Sequence, residues 1–221
     1  MLSVVTNILE LKAEKNNLFT TFDEILSKKQ KEAALNQKGI TIWLTGLSGS
    51  GKTTIGAFLE KKLFQNNIIT TLLDGDNIRT GINNNLSFSD KDRIENIRRI
   101  AEVSKLFNLS GIVSINCFVS PFQYSRDLAK EIIGRENFFE VFIDTSIEEC
   151  EKRDVKGLYK KARAGEIKNF TGISSSFETP INPDFTISTL GKTAKESGDE
   201  LFNYILPKIK AEKWKTITYL T

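Results

Sequence analysis

Short apolar runs alternate with amphipathic segments along most of the chain. Four runs rich in β-branched and aromatic residues are typical of buried parallel strands, at 40–45, 69–73, 111–119 and 138–143. A last short strand is predicted at 185–188. Helical periodicity separates and follows these strands, at about 52–65, 92–107, 123–133 and 194–209, with a short helix through Cys150. The alternation predicts an α/β fold, a three-layer α/β/α sandwich around a mainly parallel sheet.

The two ends of the chain depart from this alternation. Residues 1–38 are polar and rich in Lys and Asn, and we expect an N-terminal extension with a helix from about Thr21 to Leu35. The α/β domain is predicted at 39–210, and a C-terminal tail follows at 211–221.

Polar clusters mark one edge of the predicted sheet. They follow Thr45, Leu73, Val119 and Ile143, where four strands end. Ligands of such sheets lie beyond the carboxyl ends of the strands. The basic, glycine-containing segment 153–177 is predicted to form a mobile lid over this edge.

A glycine-rich loop follows the first strand. Residues 46–53 read Gly-Leu-Ser-Gly-Ser-Gly-Lys-Thr and fit the G-x-x-x-x-G-K-[ST] phosphate-loop pattern. Its backbone N–H groups and the N-terminus of the next helix attract phosphate, while Lys52 would reach the β- and γ-phosphates and Thr53 would ligate Mg²⁺. A chance Gly/Ser turn is the alternative, and the strand–loop–helix setting speaks against it. The predicted nucleotide-binding residues here are Gly46, Leu47, Ser48, Gly49, Ser50, Gly51, Lys52, Thr53 and Thr54.

Two carboxylates, Asp74 and Asp76, flank Gly75 after the second strand. On an extended segment residues two apart share a face, so both are predicted to face the cleft. The chain has no histidine, which excludes a Ser-His-Asp triad and a histidine base. One carboxylate would accept a hydroxyl proton and the other would hold Mg²⁺, although an ordinary Asp-Gly turn also fits. Asp144 is expected to cap the helix beginning near Ser146.

Basic and aromatic side chains suit an anionic purine substrate. Arg79 follows the carboxylates, and the i, i+3 spacing of Arg93 and Asn96 places them on one helix face. Guanidinium groups match phosphate and sulfate oxygens. Phe88 and Phe170 could stack on a purine, or they could belong to the core.

Other basic residues have plainer interpretations as well. A solvated helix face pairing with Asp92 and Glu95 would explain Arg98 or Arg99. The lid cations would reach ATP phosphates, although some of them would be surface lysines. The lid cations are Arg153, Lys156, Lys160, Lys161 and Arg163.

Composition narrows the class of protein. The 221 residues carry a net charge of +3, too mild to predict nucleic-acid or membrane partners. No run approaches the roughly 18 apolar residues that span a bilayer. Cys117 and Cys150 lack metal-ligand spacing and are interpreted as reduced thiols, so a cytoplasmic location is expected.

Taken together, the motifs resemble the adenylylsulfate kinase (APS kinase) family over roughly 31–190. The matching strings are Gly39-Ile-Thr-Ile-Trp-Leu-Thr-Gly-Leu-Ser-Gly-Ser-Gly-Lys-Thr53, Leu73-Asp-Gly-Asp-Asn-Ile-Arg79, Phe88-Ser-Asp-Lys-Asp-Arg-Ile-Glu-Asn-Ile-Arg-Arg99, Ser120-Pro121 with Arg126-Asp127, Arg153-Asp-Val-Lys-Gly-Leu-Tyr-Lys-Lys-Ala-Arg-Ala-Gly165 and Phe170-Thr-Gly-Ile173. The resemblance implies Mg²⁺- and ATP-dependent phosphorylation of the 3′-hydroxyl of adenosine 5′-phosphosulfate (APS), the second step of sulfate activation. It also implies a homodimer, and association or fusion with ATP sulfurylase is possible in this family.

The resemblance also implies roles for single residues. Asp76 would be the base, with Asp74 supporting it or Mg²⁺. Ser120 matches a serine described in the family as a phosphoserine intermediate, although in-line transfer needs no covalent step. The implied substrate contacts are Asp76, Arg79, Phe88, Arg93, Asn96, Val119, Ser120, Lys156 and Phe170, and Arg153 and Lys156 would serve the nucleotide.

Four positions depart from the family pattern, at Thr80, Ser87, Gln123 and Ser176-Phe177. The last two could alter affinity or lid ordering, and none removes a proposed catalytic group. Alternatives are a P-loop kinase acting on a sugar, shikimate or a nucleoside monophosphate, a non-catalytic nucleotide-binding regulator, or one half of a bifunctional protein.

Overall fold

The computed structural model describes residues 25–210, and the strands within this range form one parallel sheet. The order across the sheet is β2-β3-β1-β4-β5. The strands are β1 (Thr41–Thr45), β2 (Thr70–Asp74), β3 (Val113–Cys117), β4 (Phe138–Asp144) and β5 (Phe185–Ser188). The predicted α/β class is confirmed.

Helices connect the strands and cover both faces of the sheet. They are α1 (Lys28–Leu35), α2 (Lys52–Gln65), α3 (Gly75–Thr80), α4 (Asp90–Leu109), α5 (Gln123–Ile133), α6 (Ile147–Arg153), α7 (Leu158–Arg163) and α8 (Ala194–Ile209), with a 3₁₀ turn at Arg135–Asn137. No helix between residues 25 and 210 is long and apolar enough to cross a membrane.

The core lies in two layers, one on each side of the sheet. Because side chains alternate along a strand, Ile42 and Leu44 of β1 pack with α2 and α8, whereas Trp43 packs with α4 and α5. The longer helices α2, α4, α5 and α8 turn an apolar stripe to the sheet, as Leu59 of α2 and Ile97 of α4 illustrate. This is the predicted three-layer sandwich.

Strand register brings the predicted polar clusters to one edge. Asp74 at the end of β2 lies beside Cys117 at the end of β3, and Leu44 of β1 lies beside the same Cys117. Because β1, β2 and β3 end together, the segments that follow them surround one cleft, at the position that the sequence predicted.

One predicted helix start and one predicted helix cap are wrong. The helix predicted from Thr21 begins at Lys28, because Ser27 and Gln30 form a capping box and Ile25 to Ser27 are not helical; Thr21 lies outside the described residues. Asp144 does not cap α6: Ser146 does, accepting the Glu149 backbone N–H at 3.3 Å.

Candidate active site

The phosphate loop joins β1 to α2 as the sequence predicted. Gly46 has φ 144°, and a Cβ there would lie 2.7 Å from the Ile143 carbonyl oxygen, so only glycine fits. Gly51, with φ 105°, is the N-cap of α2. The loop therefore presents its backbone at the N-terminus of a 14-residue helix, the arrangement that attracts phosphate.

Lys52 lies folded within this loop and is only 8% exposed. Its ammonium group donates to the carbonyl oxygens of Gly46 at 2.9 Å and Leu47 at 2.7 Å. Burial lowers the pKa of Lys52 to about 8. Lys52 also lines the cleft described below, so its ammonium group lies inside the loop and at the wall of the site.

Asp74 links the phosphate loop to the second strand. Its Oδ2 accepts from the Thr53 hydroxyl at 2.7 Å, and its Oδ1 accepts the Asp76 backbone N–H at 3.0 Å. Asp74 thereby caps α3, which the sequence analysis missed. The premise that Asp74 and Asp76 lie on one extended segment is wrong, because the chain turns into this helix at Gly75; both nevertheless line the cleft.

The Thr53–Asp74 pair fits a magnesium ion. Mg²⁺ prefers oxygen ligands, and it is usually held by one or two protein groups together with water and substrate phosphates. Residues 25–210 contain no cluster of three or more acidic, His or Cys side chains that would form a protein-only metal site. A hydroxyl and a carboxylate beside a phosphate loop therefore match a nucleotide-bound Mg²⁺.

The lid places a cation on Asp76. Lys156, between α6 and α7, donates to Asp76 Oδ2 and forms an ion pair with it, and both side chains are largely exposed. The Asp76 carboxylate raises the pKa of Lys156. The predicted base and the predicted lid cation are thus brought together at the mouth of the cleft.

The cleft itself has a volume of 390 Å³. Its walls come from the phosphate loop, the ends of β2 and β3, and the lid. The lining residues are Ser48, Gly49, Gly51, Lys52, Thr53, Thr54, Asp74, Gly75, Asp76, Cys117, Phe118, Val119, Asp154, Val155, Lys156, Leu158 and Tyr159. Cys117 is a buried free thiol, and burial raises its pKa to about 12.

A second group of predicted residues lies together outside this lining. The Arg79 guanidinium lies 4.4 Å and that of Arg93 5.8 Å from the centre of the Phe88 ring, which is 57% exposed. Arg79 also donates to the Ser87 carbonyl oxygen at 2.9 Å. Two cations and an exposed aromatic face form a surface suited to an anionic, planar ligand.

Arg93 connects this surface to the lid. It donates to the Thr171 hydroxyl at 2.9 Å and the Asn169 carbonyl oxygen at 2.6 Å, on either side of Phe170. Phe170 therefore lies close to Arg93. Asn96 is buried one turn along α4 and accepts from the Asn83 side chain at 2.9 Å, so it braces the segment that carries Phe88.

Val119 and Ser120 follow β3. The Val119 carbonyl oxygen accepts from the Thr45 hydroxyl at 2.8 Å. Ser120 is 2% exposed, has φ 44°, and its Oγ accepts from the Trp43 indole N–H at 2.9 Å. Arg126 donates to the Ser120 carbonyl oxygen at 2.7 Å. Ser120 is held from both sides and lies behind the cleft lining.

Arg153 lies behind the phosphate loop. It donates to the Ser50 carbonyl oxygen at 3.3 Å and the Thr189 hydroxyl at 3.1 Å, and it pairs with Glu149 at 3.0 Å. Through these bonds it joins the loop to the end of β5. Of the remaining basic residues, Arg163 pairs with Glu151.

The helix arginines beside the substrate residues form a surface network. Arg98 and Arg99 both pair with Glu95, at 2.7 and 2.8 Å. Asp92 instead accepts from Ser87. The solvated-face interpretation is therefore correct for both arginines, with Glu95 as their shared partner, and Arg98 also lies 4.0 Å from Glu102.

Three residues that support the site were not predicted from the sequence. Trp43 and Arg126 hold Ser120, and Tyr159 donates to the Ser48 carbonyl oxygen at 2.8 Å. Trp43 stood in a predicted strand like any core residue, and Arg126 was named only within a matching string, with no role. Tyr159 lies in the lid string quoted above, and its aromatic character among basic residues was the available signal.

Comparison with known proteins identifies the family. The family model described as Adenylylsulphate kinase matches residues 38–188. The chain belongs to the adenylylsulfate kinase family. An adenylyl-sulfate kinase from Bacteroides fragilis is 54% identical over 196 residues, covering 89% of this chain and 97% of the relative. One from Clostridium acetobutylicum is 51% identical over 180 residues, covering 81% and 90%.

A solved structure of the same family resembles the fold. The Mycobacterium tuberculosis APS kinase CysC in complex with AMPPNP and APS has a TM-score of 0.74 and 43% identity, and the match covers 76% of this chain and 98% of that one. The family assignment made from the motifs is confirmed, and the expected class of enzyme, an ATP-dependent kinase, is confirmed with it.

Proposed function

We propose that the chain transfers the γ-phosphoryl group of ATP to the 3′-hydroxyl of APS, giving 3′-phosphoadenosine 5′-phosphosulfate and ADP. The observation that carries this proposal is the joining of Asp74, Asp76 and the phosphate loop in one cleft, in a chain of the adenylylsulfate kinase family. Both relatives described above carry the name of this enzyme.

The nucleotide half of the site follows from the phosphate loop. Residues 46–54 would bind the ATP phosphates through backbone N–H groups, and Lys52 would leave the Gly46 and Leu47 carbonyls for the β- and γ-phosphates. Thr53 and Asp74 would hold Mg²⁺, which supplies charge neutralisation at the phosphates. Arg153 would stabilise the loop from behind through the Ser50 carbonyl.

Asp76 would act as the base toward the 3′-hydroxyl. In a chain without histidine, a carboxylate at the cleft mouth is the suitable acceptor. The Lys156 ammonium group pairs with this carboxylate and holds it at the mouth of the cleft. The same ammonium group lines the cleft together with the phosphate loop, so when a nucleotide binds it would turn toward the phosphates and serve both partners.

The substrate half would use the Arg79–Phe88–Arg93 surface. The two guanidinium groups suit the phosphosulfate, and Phe88 with Phe170 would hold the adenine between them. Asn96 would fix the loop beneath, and Val119 would contribute its backbone. Residues 153–177 would close as a lid over the bound substrates.

Ser120 would support the site without carrying the phosphoryl group. Its side chain is 2% exposed and its oxygen is held by the Trp43 indole. Direct in-line transfer requires positioning, charge stabilisation and a base, all of which the cleft residues supply.

Assembly and location remain predictions. We expect a homodimer in the cytoplasm, with association or fusion with ATP sulfurylase as a further possibility. Size-exclusion chromatography with light scattering measures the mass of the assembly directly, and a mass near twice 24.9 kDa is expected for the homodimer.

The proposed reaction is tested by acceptor choice. ADP release from Mg-ATP would be followed with APS, AMP, shikimate and gluconate as acceptors. Turnover is expected with APS alone, because the other acceptors lack the phosphosulfate, the purine or both. Turnover with a different acceptor would refute the substrate, and tight ATP binding without turnover would favour a nucleotide-binding regulator.

A further inference from the structure

Tyr159 connects the two halves of the site. It lies in α7 within the lid and is 3% exposed. Its hydroxyl donates to the Ser48 carbonyl oxygen at 2.8 Å, and its ring meets the Phe170 ring edge-on, with 5.0 Å between centroids. Its backbone N–H donates to Asp154 at 3.0 Å, which fixes the start of α7.

The bond to Ser48 bears on phosphate binding. A loop that directs its N–H groups inward turns its carbonyl groups away from the anion, and each carbonyl must find a donor elsewhere. Lys52 holds the carbonyls of Gly46 and Leu47 until it moves to the phosphates, whereas Tyr159 holds the Ser48 carbonyl from outside the loop. Burial raises the pKa of Tyr159, so its hydroxyl stays protonated as a donor.

The ring of Tyr159 bears on substrate binding. Edge-to-face packing restricts the tilt of Phe170, and Arg93 holds the residues on both sides of Phe170 at Asn169 and Thr171. One buried side chain therefore contacts the nucleotide loop at its hydroxyl and the proposed adenine platform at its edge.

We propose that Tyr159 is a positioning residue that couples the geometry of the phosphate loop to the orientation of Phe170, so that nucleotide and APS strengthen each other's binding. The coupling rests on the proposed function for the identity of the second ligand. Coupling of this kind is reciprocal, since each ligand must raise the affinity of the other by the same factor.

The test is calorimetric titration of wild type, Tyr159→Phe and Tyr159→Leu with Mg-AMPPNP and with APS, each alone and with the other present. Tyr159→Phe removes only the hydroxyl. We expect it to weaken AMPPNP binding about 2- to 12-fold, the worth of one hydrogen bond, to leave APS affinity in the absence of nucleotide unchanged, and to move the coupling factor toward one. Tyr159→Leu also removes the ring and is expected to weaken the binding of APS.

Tyr204→Phe is the matched control, because Tyr204 stacks on Phe185 on the α8 side of the sheet, outside the cleft lining. It should change neither affinity. Unchanged AMPPNP affinity in Tyr159→Phe, or a wild-type coupling factor of one, would overturn the proposal. If the wild type failed to bind APS, the proposed function would be refuted. The AMPPNP affinities of wild type and Tyr159→Phe would still test the contact with Ser48. If Tyr159→Leu does not fold, Tyr159→Phe decides alone.

Discussion

A buried ion pair beside the loop that follows β3 gives the sharpest stability prediction. Arg126 is 1% exposed, and its Nε lies 2.8 Å from Oε1 of the buried Glu140. Burial lowers the pKa of Arg126 and raises that of Glu140, so each charge depends on the other. Arg126 also donates to the carbonyl oxygens of Ser120 at 2.7 Å and Glu178 at 2.8 Å, which join the loop after β3 to the chain beyond the lid.

Arg126→Met removes the charge and keeps much of the volume. Removing one partner of a buried pair costs about 3–5 kcal/mol, because the other charge stays buried. This is a large part of the roughly 5–15 kcal/mol that stabilises a typical domain. The double variant Arg126→Met/Glu140→Leu has no stranded carboxylate, and we expect it to be about 2 kcal/mol more stable than Arg126→Met.

Urea denaturation followed by circular dichroism measures these free energies of unfolding. Arg135→Met is the matched control, since Arg135 pairs with Glu131 at the exposed surface and should change stability by less than about 0.5 kcal/mol. The reasoning is refuted if the free energy of unfolding of Arg126→Met lies within about 1 kcal/mol of wild type. It is also refuted if the loss of stability in the double variant equals the sum of the losses in Arg126→Met and Glu140→Leu measured singly.

Four further predictions concern the site. Burial lowers the pKa of Lys52 to about 8, so the ammonium group loses a proton as the pH rises through that value, and the affinity for Mg-ATP should fall. An affinity that stays constant between about pH 7 and pH 9 would contradict this role of Lys52. Phe88→Leu should raise KM for APS about 5- to 150-fold, the worth of one stacked base, while Phe64→Leu, at an exposed position near the end of α2, should not. Ser120→Ala should keep kcat within about tenfold of wild type, and no phosphoserine should form in the wild type. Complete loss of activity in Ser120→Ala, together with a phosphoserine trapped in the wild type, would support a covalent intermediate instead. Asp74→Asn should lower kcat about 100-fold or more and raise the Mg²⁺ concentration needed for half-maximal rate; an unchanged Mg²⁺ dependence would remove Asp74 from the metal site.

The sequence predicted the sheet and the loop well because both are encoded locally. The run 40–45 has no charged residue and is rich in β-branched and aromatic residues, and in the structure every residue of β1 is buried, as a central parallel strand requires. The phosphate loop is fixed by glycines at set spacing, so its position between β1 and α2 followed directly from the motif.

One error concerned a short local helix, and two omissions concerned side chains whose partners come from distant segments. Asp76 was expected on an extended segment, but Asp74 caps a six-residue helix that no periodicity could predict. Arg126 was given no role from the sequence, because its buried partner Glu140 comes from β4. Tyr159 acts through Ser48, 111 positions away in the chain.

The position of the new phosphate tests the central claim most directly. Wild type and Asp76→Asn would be incubated with Mg-ATP and APS, and the product would be followed by phosphorus NMR. The affinity for Mg-ATP would be measured on the same proteins. Asp199→Asn serves as the control, since Asp199 lies on α8 and pairs with Lys62. We predict a 3′-phosphate from the wild type and the control, and a loss of at least about 100-fold in kcat for Asp76→Asn with Mg-ATP affinity little changed. A phosphate at any other position, or Asp76→Asn turning over within about tenfold of wild type, would contradict this account of the site.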